Sequence, residues 1–371
     1  MSVAAWVLWI AGGVVALLAL QVVYLFAVLT WGERRTLGLA YFGLPREERA
    51  AFRDRLRFHA RLLTPILWVL GRTSTFKFEP ASFRHDELPG PRGTCSETSF
   101  ARARAYKPTA EDVFVVTQMK CGTTWMQNVV YEVLARGQGD LVDSGHALYG
   151  VSPWLEALKC VSVEDAPLVG DERPSRIIKT HLPVTHCPQD TEARYIYVAR
   201  HPISCFASCV DFITENSGPM APPIDAIEAW YCSDDMWWGP WTGHVAGWWT
   251  RSVAAGNVLF VRFEDMKDDL AAVVERVAAF LGVPPLDGEE MAAVLRKCGF
   301  EYMAANGDIF EMHPPHIFAT NAELFVKGTA DRHRDVPLET RRRIAAWCAG
   351  TLAATPYPLA DEYPDVAAGE S

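Results

Sequence analysis

The chain opens with an apolar run that is too long for a soluble helix. From Val3 to Trp31 there is no charge, and Gln21 is the one strongly polar residue. About 20 apolar residues cross a bilayer as a helix, so this stretch predicts a retained transmembrane anchor over residues 1–32. Residues 45–72 then alternate arginines and apolar residues at helical spacing and end in the apolar "PILWVLG". That pattern predicts an amphipathic helix lying on a membrane or packed on the protein. Residues 79–110 are rich in Pro, Gly, Ser and Arg and predict an irregular connector.

From there the pattern changes. "DVFVVT" (112–117), "RIIKTHLP" (176–183), "ARYIYVARHP" (193–202) and "NVLFVRFEDM" (257–266) are short β-branched and aromatic runs that predict buried strands. Between and after them, residues 123–137, 203–213 and 269–282 carry helical periodicity. Alternating strands and helices predict an α/β fold. It is a P-loop-like three-layer domain with a central parallel sheet flanked by helices, preceded by one N-terminal transmembrane helix. The expected division is an anchor (1–32), an Arg-rich amphipathic and connector region (33–105), a catalytic domain (106–352) and a disordered Pro- and acid-rich tail (353–371).

Charge refines this picture. The net charge is −10, which excludes a general nucleic-acid binder and makes any anion site local. Arg34, Arg35, Arg46, Arg49, Arg53, Arg55, Arg57 and Arg61 all follow the apolar run, and no basic residue precedes it. Arginine on one side predicts a single-pass membrane protein whose catalytic domain faces the cytoplasm. A luminal domain would need the opposite bias. The nine cysteines are scattered and form no C-x-x-C pair, so no metal site is expected.

The candidate chemistry sits where strands end. In "VTQMKCGTTWMQ" (116–127) a strand runs into a loop with Lys120 and Gly122, and a helix starts at Thr123. The free N–H groups and dipole of such a helix start favour an anion. The usual nucleotide loop places its lysine directly after the last glycine. Here the lysine comes two residues earlier, which disfavours an ATP-dependent phosphotransferase holding magnesium.

The loop has company. "K-x-G-T-T-W", "KTHLP" and "YVAR-x-P-x(5)-S" occur in this order, with "GHVAGWW" (243–249), "NVLFVRFEDMKDDL" (257–270) and "FVKG" (325–328) behind them. Together they resemble the sulfotransferase family of the soluble type that uses 3′-phosphoadenosine 5′-phosphosulfate (PAPS), over about Tyr106 to Arg334. The resemblance implies that Lys120, Cys121, Gly122, Thr123 and Thr124 grip the 5′-phosphosulfate. It implies that Trp125, Phe263 and Phe300 pack near the adenine. Arg200, Ser208, Lys327 and Gly328 would hold the 3′-phosphate. His181 would be the base that deprotonates the acceptor hydroxyl, and Lys120 and Lys179 would stabilise charge on the leaving oxygen without a metal. In a strand, Lys179 and His181 point the same way, and an imidazole with an ordinary pKa of about 6.5 suits proton transfer near neutrality.

The chain departs from the family pattern at several positions. Cys121 stands where the family has Ser, and Phe263 where it often has Tyr. In the late loop Val326 replaces Arg, Asp331 replaces Gly and His333 replaces Trp, so Arg332 or Arg334 would have to compensate. The family's dimer motif is not found, which leaves the oligomeric state open. Residues 221–241 are aromatic-rich and 309–318 suggest a gate, consistent with a small, lipophilic hydroxyl acceptor. A non-catalytic nucleotide-binding membrane protein is the remaining alternative. The intact Lys120, Lys179 and His181 speak against it.

Overall fold

The computed structural model describes residues 2–36, 41–72, 82–312, 314–317 and 332–369. Two long helices come first, α1 (Val3–Thr36) and α2 (Arg46–Arg72). Val3–Arg34 is long and apolar enough to cross a membrane, and its most apolar window is not buried by the protein. The second half of α1 leans on α2. The Tyr24 hydroxyl and His59 Nδ1 share a hydrogen bond of 2.5 Å, and Trp31 packs on Phe52 with ring centroids 5.2 Å apart.

The connector is more regular than its composition suggests. A short hairpin, β1 (Ser82–His85) with β2 (Leu88–Pro91), turns at Asp86 and Glu87, both at positive φ. It is followed by α3 (Glu97–Ala105), whose N-terminus is closed by a reciprocal Ser96–Ser99 capping box. Phe83 on the hairpin packs edge-on against Phe100 on α3 at 4.9 Å. This aromatic pair gives the connector a core that counting Pro and Gly does not reveal.

The sheet is built from β3 (Asp112–Val116), β4 (Arg176–Thr180), β5 (Arg194–Ala199) and β6 (Val258–Arg262), all parallel, in the spatial order β4-β3-β5-β6. Every residue of β3 is buried, as expected of a strand covered on both faces. On one side lies α4 (Thr123–Leu134), packed on β3 and β4. On the other lies the helix Trp241–Ala254, whose Trp248 stacks on Tyr197 at 5.8 Å, while Phe114 stacks on Tyr195 at 4.8 Å. These are the three layers expected. "NVLFVRFEDM" is a strand only as far as Arg262, and a helix takes over at Phe263.

The tail departs from expectation. Residues 359–362 and 364–368 are helical, and Tyr357, Leu359, Tyr363 and Val366 are buried. Tyr357 packs edge-on against Trp249 at 5.6 Å, and His201 Nε2 lies 3.0 Å from the Asp365 carboxylate. Two buried tyrosines and a histidine–carboxylate hydrogen bond outweigh the Pro- and acid-rich composition that suggested disorder.

Candidate active site

All four strands of the sheet deliver candidate residues at their carboxyl ends, side by side. β3 runs into the loop, β4 into Lys179 and His181, β5 into Arg200 and β6 into Phe263. Gly122 caps α4 at φ 101°, and a Cβ there would meet the Phe263 ring at 2.7 Å. The left-handed backbone and the close ring both call for glycine. Lys120 also takes a left-handed backbone (φ 65°), a conformation uncommon outside glycine. Among the described residues no side chain caps the start of α4, which leaves its first N–H groups for a ligand.

The threonine hydroxyls are spent inside the protein. Thr123 Oγ1 lies 2.6 Å from Thr117 Oγ1, and Thr124 Oγ1 lies 3.2 Å from the Tyr149 hydroxyl. The Cys121 thiol turns into the core, 3.6 Å from the Cys205 sulfur. Arg200 braces the loop by donating from Nη1 to the Lys120 carbonyl at 2.9 Å, and its guanidinium sits over the Phe263 ring at 4.3 Å. Its Nε is buried and makes no hydrogen bond among the described residues.

His181 is held in a defined state. Its Nδ1 is 2.8 Å from the Thr117 carbonyl, which can only accept. Nδ1 therefore carries the proton, and Nε2 is left as a lone-pair acceptor. Burial and the neighbouring Lys179 push its pKa well below the ordinary value, so the ring is neutral at pH 7. Trp154 stands edge-on to it at 5.1 Å and Trp238 lies at 4.8 Å. Buried Glu156 fixes the strand end by accepting from the His181 N–H and from Thr180 Oγ1, both at 2.8 Å.

Lys179 is almost fully buried. Its Nζ donates to the Tyr149 hydroxyl at 3.2 Å and lies over the Trp154 ring at 3.4 Å. Burial lowers its pKa to about 7, with Glu156 opposing. Burial also lowers the Lys120 ammonium, which sits over the Phe212 ring at 4.7 Å. Among the described residues, neither lysine nor Arg200 forms an ion pair with a carboxylate.

The remaining candidates divide. Trp125 meets Phe263 edge-on at 5.5 Å, and Lys267 reaches over both Trp125 (5.7 Å) and the exposed Phe300 (6.0 Å). These residues form one aromatic patch beside Gly122. Ser208 lies partly exposed on the helix Pro202–Ser217 that follows Arg200. Lys327 and Gly328 lie outside the described residues. Arg332 is not available to replace the missing late-loop arginine, because it is buried in an ion pair with Asp211. Sequence reading missed Thr117, Tyr149, Glu156, Trp154 and Lys267, whereas Trp238 falls in the aromatic-rich stretch 221–241. Their roles depend on contacts between segments far apart in sequence, and "SPWLE" (152–156) carries no signal of its own.

The arrangement can do two things. Three cations and an uncapped helix start can hold an anion with developing charge, and a neutral imidazole beside them can take a proton.

Comparison with known proteins agrees. A sulfotransferase domain profile matches residues 110–356. Human sulfotransferase 2B1 is 29% identical over 252 residues, covering 66% of this chain and 67% of that protein. The 3-alpha-hydroxysteroid sulfotransferase of Cavia porcellus is 30% identical over 224 residues, covering 59% of this chain and 75% of that protein. Among solved structures, the fold is similar to mouse sulfotransferase SULT7A1 complexed with PAP (TM-score 0.56, 19% identity, 74% of this chain and 94% of that one). It is also similar to retinol dehydratase in a complex with retinol and PAP (TM-score 0.57, 19% identity, 73% of this chain and 91% of that one). The profile spans the whole parallel sheet and the catalytic loop, and the chain therefore belongs to the sulfotransferase domain family as a PAPS-dependent sulfotransferase.

Proposed function

We propose that this enzyme transfers the sulfuryl group of PAPS to the hydroxyl of a small lipophilic acceptor by in-line displacement, with His181 as the base. The observation that carries the reading is the state of His181. Its Nδ1 is committed to the Thr117 carbonyl, which leaves a neutral Nε2 as acceptor, and the ring packs against Trp154 and Trp238. A neutral acceptor nitrogen in an apolar wall suits removal of a proton from an alcohol or phenol.

The chain's own residues fit the donor. The Arg200 guanidinium braces the loop at Lys120 without a carboxylate partner among the described residues, and its planar fork suits a phosphate. In this reading Arg200, Ser208, Lys327 and Gly328 hold the 3′-phosphate, while Trp125, Phe263 and Phe300 receive the adenine. Lys120 and the N–H groups from Cys121 to Thr124 hold the 5′ end. Cys121, Thr123 and Thr124 act there through the backbone, since their side chains are engaged inside the protein. The donor supplies a good leaving group whose oxygen gains negative charge. Lys120 and Lys179 face that charge and stabilise it without a metal.

The aromatic wall of Trp154 and Trp238 favours an apolar acceptor, in keeping with relatives named for hydroxysteroids. We place residues 1–32 in a membrane, the Arg-rich and connector region at 33–105, and the catalytic domain (106–352) in the cytoplasm, on the strength of the arginines that follow the apolar run.

The test is a calorimetric titration of the full chain in detergent with adenosine 3′,5′-bisphosphate, and with ADP and AMP as controls. The bisphosphate is expected to bind in the micromolar range or tighter. Arg200→Ala is expected to weaken it at least tenfold, roughly 1.4 kcal/mol or more. Equal binding of ADP would remove the 3′-phosphate from the reading.

A further inference from the structure

The helix α2 connects the anchor to the active site. At its start, Arg46 makes a two-pronged ion pair with Asp308 (both contacts 2.7 Å), and two turns on Arg53 makes another with Glu311 (3.0 and 2.7 Å). Tyr41 adds a hydrogen bond to Glu311 at 2.8 Å. The segment thus gripped is tied to the site wall, because the Ile309 carbonyl accepts from the Leu148 N–H at 2.8 Å. The next residue, Tyr149, is the one that holds Lys179, and Phe42 packs on it at 5.9 Å. At the other end of α2, Gly71 lies so close to Pro219 that a Cβ would overlap the Pro219 carbonyl. Pro219 lies two residues beyond the helix Pro202–Ser217, whose Phe212 ring lies under the Lys120 ammonium.

Both ends of α2 are therefore fixed to walls of the catalytic centre, and its buried stripe is Phe52, Leu56, Ala60, Leu63, Ile66 and Leu67. The opposite side of its second half is apolar too. Phe58, Leu62, Trp68 and Val69 are between 37% and 60% exposed. Arginines edge this strip. Arg57 and Arg61 are exposed, and Arg72 stacks on Trp68 at 3.8 Å. On the neighbouring α1, Leu20, Val23 and Phe26 are exposed at the level where the two helices touch. An apolar strip with arginines along its edge, continuous with a membrane-spanning helix, matches the charge and polarity profile of an anionic bilayer surface.

We propose that α2 lies in the headgroup layer of an anionic phospholipid bilayer and holds the acceptor side of the active site against the membrane. This rests on the reading of α1 as a membrane anchor. It goes further by assigning a second lipid-facing surface and a fixed orientation to the catalytic domain, so that an acceptor dissolved in the bilayer reaches the site from the α2 side.

The test uses the full chain reconstituted in phosphatidylcholine–phosphatidylserine vesicles. The photoreactive residue p-benzoylphenylalanine is placed singly at positions 15, 62, 69 and 253. Lipid adducts are expected at Val15, Leu62 and Val69 and not at Val253, which is exposed on the helix Trp241–Ala254. With phosphatidylcholine alone, the adducts at Leu62 and Val69 are expected to fall, and Arg61→Glu is expected to lower them about fivefold in the anionic vesicles. Adducts at Val15 without adducts at Leu62 and Val69 would overturn the proposal and leave the anchor standing. Absence of adducts at Val15 as well would overturn both. Adducts at Leu62 and Val69 that ignore lipid charge would overturn the role of the arginines.

Discussion

The two ends of the parallel sheet are made from the same kinds of residue and treat charge in opposite ways. At the amino end, the fully buried Asp112 accepts from Arg176 (2.7 Å), the Tyr106 hydroxyl and the Thr109 N–H (both 2.8 Å). Arg194 there donates to the Phe280 carbonyl at 2.9 Å. A cleft of about 270 Å³ opens at this end, lined by Arg173, Thr191, Glu192, Arg194 and Asn257 among others. At the carboxyl end, Lys179 and Arg200 are as deeply buried as those groups, yet no carboxylate pairs with them among the described residues. The surplus of buried positive charge marks the working end of the sheet, because an unpaired buried charge is costly and a ligand anion offsets that cost.

The sharpest way to break the comparison is to remove the proton acceptor alone. His181→Asn keeps a donor for the Thr117 carbonyl and deletes Nε2. The turnover number is expected to fall by about 10²–10⁴, with binding of adenosine 3′,5′-bisphosphate unchanged. A variant that keeps near-normal turnover would take the base role away from His181. The amino end should answer in the opposite currency. Asp112→Ala leaves the partly buried Arg176 and the Tyr106 hydroxyl without their carboxylate and is expected to cost about 3 kcal/mol of stability in denaturant unfolding. The Michaelis constant for PAPS should stay the same. A changed Michaelis constant would mean that the two ends are coupled through β3.

What the sequence disclosed follows the same division. Short, uniformly apolar strands and the helices between them are local patterns, so the layers and the parallel sheet were legible. So were Lys120, Gly122, His181 and Arg200, because each sits at a strand end where the chain must turn outward. Side-chain direction was not legible. Thr123 and Thr124 look like ligand donors in sequence, and both hydroxyls are taken by Thr117 and Tyr149. Cys121 looks like a lost hydroxyl, and its thiol faces Cys205. Glu156 lies in a turn and Tyr149 in a one-turn helix, and both reach the site through pairing with residues 24 to 30 positions away. The tail was misjudged for a related reason. Composition reports average polarity, whereas Tyr357 and Tyr363 find individual aromatic partners in Trp249 and Trp241.

The smallest effect on this scale concerns Lys179, and its sign separates function from stability most cleanly. Burial lowers the folded-state pKa from 10.5 to about 7. Between these values the unfolded chain binds more protons than the folded one, so this residue makes stability rise with pH across that window. The cost of burying the ammonium is therefore fully present below about pH 7 and is released by about pH 10.5. Lys179→Met removes the charge, keeps the stem over Trp154 and leaves the Tyr149 hydroxyl its Thr124 contact. It is expected to stabilise the protein by ~1–4 kcal/mol at pH 6, and by less at pH 10, while turnover falls. The wild-type kcat/KM for PAPS should decline above about pH 7 as the free enzyme loses this proton, and the variant should lack that limb. A variant less stable than wild type at pH 6 would show that Tyr149 and Glu156 already compensate the buried ammonium, and the carboxyl end would then balance its charge as the amino end does.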